Sequence, residues 1–256
     1  MLKSQYNDVA SIYEENRPGY PNQLVEKIIN YSSIDKNSRL LELGAGTGKA
    51  TEAFAKEDFT IDCIEIEPNM ARILNDKYTD NSKIRVMVTD FETWECNSKK
   101  NYDLIYSAQA FHWFNDKTKY EKCNELLSKN GRLALYWYFS IIESEKLLQE
   151  LNNIFKKYCE GYSFKSIQEC TLFGSNEVQK LRNSGLYKNI KTHHWSERMI
   201  QDADSFVTRF NTTSAYSSLC DSLKYNIDKE LVQIIQQNGG LVVSDLLYVL
   251  ILAEKA

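Results

Sequence analysis

Hydrophobic and polar positions follow two spacings along the first half of the chain. Short apolar runs bounded by turn residues predict buried β-strands, and apolar residues that recur every three or four positions predict amphipathic helices. The predicted strands span residues 39–43, 59–65, 84–88, 102–106 and 132–137, and the predicted helices span 23–31, 48–56, 120–127 and a segment from Pro68. Strands that alternate with helices predict βαβ units and an open parallel sheet, which is an α/β fold.

The alternation of strands and helices ends at Trp137, and helical patterns dominate after it. Asn130-Gly131 is expected to end the helix before the fifth strand. Helices are predicted over 141–158, 177–183, 202–209, 214–223 and 228–237, with strands over 189–195 and 241–253. These last two strands bracket a helical insert, which is expected to cap the sheet.

Composition narrows the class of partner. The chain of 256 residues has a net charge of −4 and no basic stripe, so we expect no nucleic-acid partner. Its longest apolar run, residues 241–253, is shorter than the ~20 residues of a membrane span and carries Ser244 and Asp245, so no membrane partner is expected. The six cysteines are scattered and no signal-peptide pattern is present, which favours reduced thiols and a cytoplasmic location.

Three alternate glycines follow the first predicted strand directly: Gly44, Gly46 and Gly48. A P-loop requires Ser or Thr after Gly-Lys and a glycine five positions earlier, where this chain has Ala50 and Leu43. The dinucleotide fingerprint G-x-G-x-x-G fails at Lys49. The remaining pattern is E-x-G-x-G-x-G, with a simple glycine-rich turn as the alternative interpretation.

This stretch closely resembles the first motif of class I S-adenosylmethionine (SAM)-dependent methyltransferases. Upstream, residues 13–21 read Y-x-x-x-R-P-x-Y-P, which resembles the lid of a subgroup that includes trans-aconitate methyltransferases. Residues 195–198, 211–216 and 239–240 resemble that subgroup's C-terminal landmarks. The resemblance implies a Rossmann-like, seven-stranded and mostly parallel sheet whose final strand is antiparallel, with flanking helices and a helical cap. One domain would then contain a lid (1–22), a SAM-binding core (32–138), cap segments (139–186 and 196–238) and C-terminal strands (187–195 and 241–255).

Acids at the ends of predicted strands fit the parts of SAM. Glu65 ends the second strand about 20 residues after the glycines, the offset at which an acid accepts hydrogen bonds from ribose hydroxyls; a solvated strand-end charge is the alternative. Asp90, after the third strand, would accept from adenine, or it caps a turn. Glu42 would meet the amino-acid end, or backbone N–H groups satisfy it. The resemblance implies this cofactor-binding set: Glu42, Gly44, Ala45, Gly46, Gly48, Glu65, Ile66, Asp90, Phe91, Ser107 and Gln109.

The segment after the fourth strand, residues 107–114, would face the methyl group and the acceptor. It lacks the Asn/Asp-Pro-Pro-aromatic sequence of adenine amino-methylating enzymes. His112 is the candidate catalytic residue, either as a general base or, the interpretation we favour, as a structural hydrogen bonder. No metal site is expected, since no third ligand is spaced near His193-His194. The expected lid and substrate residues are Tyr6, Tyr13, Arg17, Tyr20 and Trp113.

The leading hypothesis is a SAM-dependent methyltransferase that acts on a small molecule. A carboxylate acceptor similar to trans-aconitate is the finer expectation, and it rests on Arg17 and on the cap residues Arg198 and Arg209. A SAM-binding protein without turnover is the main alternative, and an NAD-dependent oxidoreductase is disfavoured by Lys49. A monomer and a homodimer are both compatible with the sequence.

Overall fold

In the computed structural model, which describes residues 9–96, 101–159 and 161–256, the chain folds around one seven-stranded sheet. The strands are β1 (Arg39–Leu43), β2 (Thr60–Glu65), β3 (Ile84–Val88), β4 (Tyr102–Ala108), β5 (Leu127–Ile142), β6 (Tyr187–Asp202) and β7 (Leu241–Lys255). Their order in the sheet is β3-β2-β1-β4-β5-β7-β6. The strands from β3 to β5 pair in parallel, and β7 pairs antiparallel with both β5 and β6. The predicted fold, including its antiparallel final strand, is confirmed.

Helices cover both faces of the sheet and build the cap. They are α1 (Ala10–Asn16), α2 (Asn22–Ser32), α3 (Lys49–Ala55), α4 (Pro68–Lys77), α5 (Lys119–Leu126), α6 (Glu145–Tyr158), α7 (Ile167–Ser184), α8 (Ala203–Phe210), α9 (Ser214–Ser217) and α10 (Asp221–Gln237). Successive residues of a strand point to opposite faces, so Leu40 and Leu41 enter different core clusters although both are fully buried. A third cluster, formed mainly by α6, α8 and α10, is the core of the cap.

The last three strands are longer than predicted. β5 continues to Ile142 and β6 to Asp202, because β7 pairs with each of them to those residues. Such pairing satisfies backbone groups that would otherwise need other partners. The predicted cap segments therefore begin too early, since residues 139–142 and 196–202 belong to the sheet.

Several helix boundaries also differ from the sequence prediction, and α9 and α10, for example, span Ser214–Ser217 and Asp221–Gln237. α5 ends at Leu126, and Asn130-Gly131 lies inside β5, where the register with β4 shifts between the Tyr102 and Leu104 pairs. α7 begins ten residues before the predicted start at residue 177, at a capping box formed by Ser166 and Glu169. It packs on the sheet rather than in the cap cluster, with Val178 and Leu181 in the sheet core.

Within residues 9–96, 101–159 and 161–256, no helix combines the length and the apolar character that crossing a membrane requires.

Replacing Leu250 with Ala tests the dependence of the fold on β7. Leu250 is fully buried and lies between Tyr136 of β5 and His193 of β6. Loss of a buried leucine side chain leaves a cavity, so we expect the free energy of unfolding to fall by about 2–5 kcal/mol. Urea unfolding followed by circular dichroism measures it. Leu241→Ala, at a half-exposed end of the same strand, is the control and should change stability by less than about 0.5 kcal/mol.

Candidate functional site

The glycine turn joins β1 to α3 and is held against β2. The backbone N–H groups of Gly44 and Ala45 both donate to the carbonyl of Ile64, at 2.9 and 3.0 Å. Gly44 has a φ of +69°, and a Cβ atom there would lie 2.4 Å from Cβ of Ala110. Glycine is required at this position because the turn must approach the loop after β4 closely.

Gly46 serves a different purpose. Its φ is +58°, and a Cβ atom there would meet no heavy atom within 4 Å. Its N–H donates to Oε2 of Glu65 at 2.6 Å. The open space beside Gly46 belongs to a cavity, so a ligand in that cavity can approach the bare backbone.

The cavity has a volume of about 340 Å³ and lies at the carboxyl ends of the parallel strands, the usual ligand position in such sheets. It falls in the range of about 300–1,000 Å³ typical of small-molecule sites. The predicted residues that line this main cavity are Tyr13, Arg17, Gly44, Gly46, Glu65, Ile66, Asp90, Phe91, Gln109, His112 and Trp113. Glu42, Ala45, Gly48, Ser107 and Tyr20 do not line it, and Tyr6 lies outside the described residues.

Glu65 is buried at the edge of the main cavity. In addition to the bond from Gly46, its Oε1 accepts the backbone N–H of Glu67 at 2.8 Å, just before α4 begins. Burial raises the pKa of Glu65, and these backbone hydrogen bonds oppose that shift. Each carboxylate oxygen can accept more than one hydrogen bond, so Glu65 can still receive a ligand hydroxyl while it fixes the turn.

Asp90 lies in the loop after β3, and the ammonium group of Lys122 holds that loop in place. Oδ1 of Asp90 accepts the N–H of Glu92 at 2.9 Å, which is the turn-cap role considered as the alternative. Nζ of Lys122 donates to the carbonyls of Phe91 and Trp94 at 2.6 and 2.5 Å. Asp90 caps the turn and lines the cavity at the same time. Ile66, a partly exposed apolar residue after β2, also lines the cavity.

Glu42 lies behind the glycine turn. Its Oε2 accepts hydrogen bonds from the hydroxyls of Thr51 at 2.6 Å and Tyr106 at 2.8 Å. Burial raises its pKa to about 7, although these hydrogen bonds act in the opposite direction. Ser107 has a comparable structural contact, since its Oγ donates to the carbonyl of Leu43 at 2.8 Å and joins β4 to β1. Neither residue lines the cavity, so their role in cofactor binding stays a prediction.

The loop after β4 carries His112 in a short 3₁₀ helix (Phe111–Trp113). Nε1–H of Trp137 donates to Nδ1 of His112 at 3.2 Å, which assigns the ring hydrogen of neutral His112 to Nε2. Burial among protein atoms and the charge of Lys119 lower the pKa of His112 to about 4. His112 lines the cavity, and with this low pKa it is a poor general base at neutral pH.

Two further features fix this loop. Gln109 has a φ of +59°, which is uncommon for a residue with a side chain, and its amide donates to the carbonyl of Tyr138 at 2.9 Å. The fully buried Nζ of Lys119 donates to the carbonyl of Phe111 at 3.1 Å and pairs with Asp116 at 2.6 Å. The first contact restricts movement of the loop relative to β5, and the second restricts it relative to α5.

Helix α1 connects the core to the cap. Glu14 pairs with Lys77 of α4 at 2.6 Å and with Lys49 of α3 at 3.1 Å. Arg17, just after α1, donates from Nε to Oγ1 of Thr212 at 2.7 Å and from Nη2 to the Thr212 carbonyl at 3.1 Å. Tyr20 instead packs edge-on against Tyr136 with ring centroids 4.9 Å apart, so it supports the sheet and does not contact the cavity.

Sequence reasoning missed the cap side of the cavity. Tyr138 and Phe139 line it because β5 continues past the predicted end at Trp137. Tyr162, Thr213 and Ser214 come from loops and short elements of the cap, where no periodic pattern is available. The only signal was the likeness of residues 211–216 to a landmark of the methyltransferase subgroup.

The sheet order with an antiparallel β7 is that of the class I methyltransferase fold, and the glycine turn, Glu65 at the end of β2 and Asp90 after β3 lie where that fold binds its ligand. A family model described as a methyltransferase domain matches residues 40–131. An uncharacterized methyltransferase of Schizosaccharomyces pombe is 30% identical over 223 residues, which cover 78% of this chain and 85% of that relative. This chain belongs to the SAM-dependent methyltransferases.

Solved structures show the same fold at low identity. The YcgJ protein from Bacillus subtilis has a TM-score of 0.59 at 16% identity, covering 92% of this chain and 99% of that chain. Phosphoethanolamine N-methyltransferase 2 of Haemonchus contortus, solved in complex with SAM, has a TM-score of 0.58 at 16% identity, covering 98% of this chain and 58% of that chain.

Replacing Gly46 with Ala should impair ligand binding more than stability. The added methyl group would occupy the open space beside the cavity. A residue with a side chain in this left-handed backbone conformation would also lower the free energy of unfolding by about 1–2 kcal/mol. We expect affinity for S-adenosylhomocysteine to fall at least about tenfold, or 1.4 kcal/mol, by calorimetric titration. Gly239→Ala, which also has a positive φ and open space but lies outside the cavity, is the matched control. Equal affinities in the two variants would contradict the assignment of Gly46.

Replacing Glu42 with Gln should change how stability depends on pH. The folded protein keeps the Glu42 proton up to a pKa of about 7, whereas the unfolded chain releases it near 4.5. The free energy of unfolding of the native protein should therefore fall, relative to Glu42→Gln, as pH rises between these values, by on the order of 3 kcal/mol.

Urea unfolding at pH intervals measures this dependence. Glu52→Gln, on the exposed side of α3, is the control for loss of a carboxylate. A stability difference between native protein and Glu42→Gln that stays constant with pH would show that Glu42 is ionised in the fold.

Proposed function

We propose that this chain binds SAM in the main cavity and transfers its methyl group to a small-molecule acceptor held between the loop after β4 and the cap. One observation carries the proposal: a single cavity brings together Gly46, Glu65 and Asp90 on the core side and Arg17 and Thr213 on the lid and cap side. The first group suits a nucleoside with an amino-acid end. The part of the cavity beside Arg17 and Thr213 leaves room for a second molecule next to that ligand.

The residues present fit SAM. Gly46 offers bare backbone beside open space, which a side chain would fill. The Glu65 carboxylate can accept from ribose hydroxyls, and Ile66 presents an apolar surface for adenine. Asp90 and the backbone of Phe91 line the cavity next to them, where the edge of adenine would lie. Glu42 and Ser107 act indirectly, through the shape of the glycine turn.

Catalysis by this chain is mainly positioning and exclusion of water. When bound, SAM supplies an electrophilic methyl group that a nucleophile attacks in line. The cavity walls orient the acceptor, and α1 with the cap keeps solvent out. His112 contributes a hydrogen-bond donor at Nε2, and Trp113 an aromatic surface. No proton transfer to His112 is required if the acceptor atom is already deprotonated, as in a carboxylate.

The acceptor is proposed to be a carboxylate similar to trans-aconitate. Support comes from the likeness of residues 13–21 to the lid of that subgroup and from Arg17, which lines the cavity. Arg198 is excluded from this role, since it is exposed and pairs with Glu143 at 2.8 Å.

A cytoplasmic location is also proposed, since all six cysteines are free thiols.

Calorimetric titration with S-adenosylhomocysteine, followed by a turnover assay on a panel of small carboxylic acids, tests the function. We expect Glu65→Gln to weaken S-adenosylhomocysteine by roughly 1.5–3 kcal/mol, since it loses a charged acceptor. Glu52→Gln is the control. Release of S-adenosylhomocysteine from SAM with an acid of the panel would support the enzyme. Binding without release, for any small molecule tried, would favour a non-catalytic SAM-binding protein.

We also predict that α1 is a lid whose backbone becomes more protected when the cavity is filled. The reason is that Tyr13 and Arg17 line the cavity, so a ligand adds contacts to this segment. Hydrogen exchange of peptides within residues 9–20 should slow on addition of S-adenosylhomocysteine. Peptides of α2 serve as the internal control. Unchanged exchange in residues 9–20 would make α1 a permanent part of the core.

A further inference from the structure

The loop after β3 forms one wall of the main cavity, which residues 89–91 line. We call residues 89–94 the β3 loop. It turns tightly, since the carbonyl of Asp90 accepts the N–H groups of Thr93 and Trp94 at 3.2 and 2.9 Å. The carbonyls of the residues that follow Asp90 then need partners from another part of the chain.

Lys122 of α5 supplies that partner. Its Nζ donates to the carbonyls of Phe91, Glu92 and Trp94, at 2.6, 3.2 and 2.5 Å. An ammonium group has three hydrogens to donate, so one side chain can serve all three carbonyls. Nζ also lies 5.0 Å from the centroid of the Phe91 ring, close enough for a cation–π contact. Burial lowers the pKa of Lys122, and the negative charge of Asp90 opposes that shift.

Helix α5 is a firm support for this side chain. Tyr120 and Cys123, on either side of Lys122 in sequence, are buried in the same core cluster as Phe91. Phe114, in the loop after β4, packs edge-on against Phe91 with ring centroids 5.3 Å apart. Core packing therefore fixes the ring of Phe91, whereas Lys122 fixes the backbone of the β3 loop.

One peptide group connects Lys122 to the Asp90 carboxylate. The peptide between Phe91 and Glu92 has its carbonyl on Nζ of Lys122, and its N–H donates to Oδ1 of Asp90 at 2.9 Å. A peptide group is planar and rigid, so a fixed carbonyl also fixes the direction of the N–H. The positive charge polarises the peptide, which strengthens the hydrogen bond on its N–H side. Lys122 thus orients the Asp90 carboxylate through the backbone.

We propose that Lys122 is a positioning residue for cofactor recognition, which holds the Asp90 carboxylate in the orientation that selects a 6-amino purine. The inference rests on the proposed function, in which Asp90 meets the edge of adenine, and it adds the residue that sets this selectivity. A carboxylate only accepts hydrogen bonds, so it suits the amino group of adenine and repels the carbonyl oxygen that hypoxanthine has at the same position. Each carboxylate oxygen can accept more than one hydrogen bond, so the bond from Glu92 leaves capacity for the ligand.

Calorimetric titration of the full chain with S-adenosylhomocysteine and with its 6-oxo analogue, S-inosylhomocysteine, tests this assignment. The native protein should bind S-adenosylhomocysteine at least about 20-fold more tightly, since the analogue loses a hydrogen bond to a charged group. In Lys122→Met this preference should fall to about threefold or less, because the Asp90 carboxylate is no longer held in place. The matched control is Lys129→Met, which removes an exposed lysine of β5 and should keep the full preference.

The outcomes separate this inference from the proposed function. A role in stability alone would weaken both ligands equally, so an unaltered ratio of affinities in Lys122→Met overturns the assignment, as does native protein that binds both ligands equally well. Native protein that does not bind S-adenosylhomocysteine contradicts the proposed function instead. Lys122→Gln, which lacks the charge but keeps an amide donor, is the second variant and should also show a reduced preference. If neither variant folds while Lys129→Met does, Lys122 is required for the fold rather than for selectivity, and the assignment is likewise overturned.

Discussion

The Glu65 carboxylate is the contact on which the shape of the site depends. One oxygen holds the N–H of Gly46 in the turn after β1, and the other holds the N–H of Glu67 before α4. A single side chain at the end of β2 thus fixes two neighbouring backbone segments at the edge of the sheet. Both bonds are charge-assisted and lie in a buried setting, where such bonds are strongest. Glu65, which is predicted to bind a ligand, thus also stabilises the backbone of its own binding site.

Charge is distributed unevenly around the main cavity and the smaller cavity of about 190 Å³ that adjoins it. Glu65, Glu67 and Asp90 line the core end of the main cavity, while Arg17 and Arg209 lie on the cap side. SAM carries a positive sulfonium centre, so the acidic end suits the cofactor and the basic end suits an anionic partner. This distribution is consistent with the proposed pair of a cationic cofactor and an anionic acceptor.

The sequence predicts the core better than the cap, for physical reasons. Strands β1, β2 and β4 are short apolar runs buried on both faces, so hydrophobic pattern and position agree, whereas β3 at the edge of the sheet is only partly buried. The glycines and Glu65 stand directly at the ends of strands, so their position in the sequence is enough to predict where they lie in the fold. Tyr20 and Arg209 are different, because their surroundings come from segments more than 40 residues away, such as Tyr136 and Ser140. The lengths of β5 and β6 are likewise set by their partner β7, which no local pattern reveals.

The position of β7 between β5 and β6 has a consequence for how the chain folds. β6 is an edge strand of the sheet and pairs with β7, which follows it in sequence. The edge of β5 therefore stays unpaired until residues 241–255 have been synthesised, long after the parallel core can form. Pairing between such distant segments is slow, and an uncovered edge is prone to association with other chains. Folding intermediates of this protein should thus already contain the glycine turn, Glu65 and Asp90. At that stage the cap still lacks the strands on which it packs.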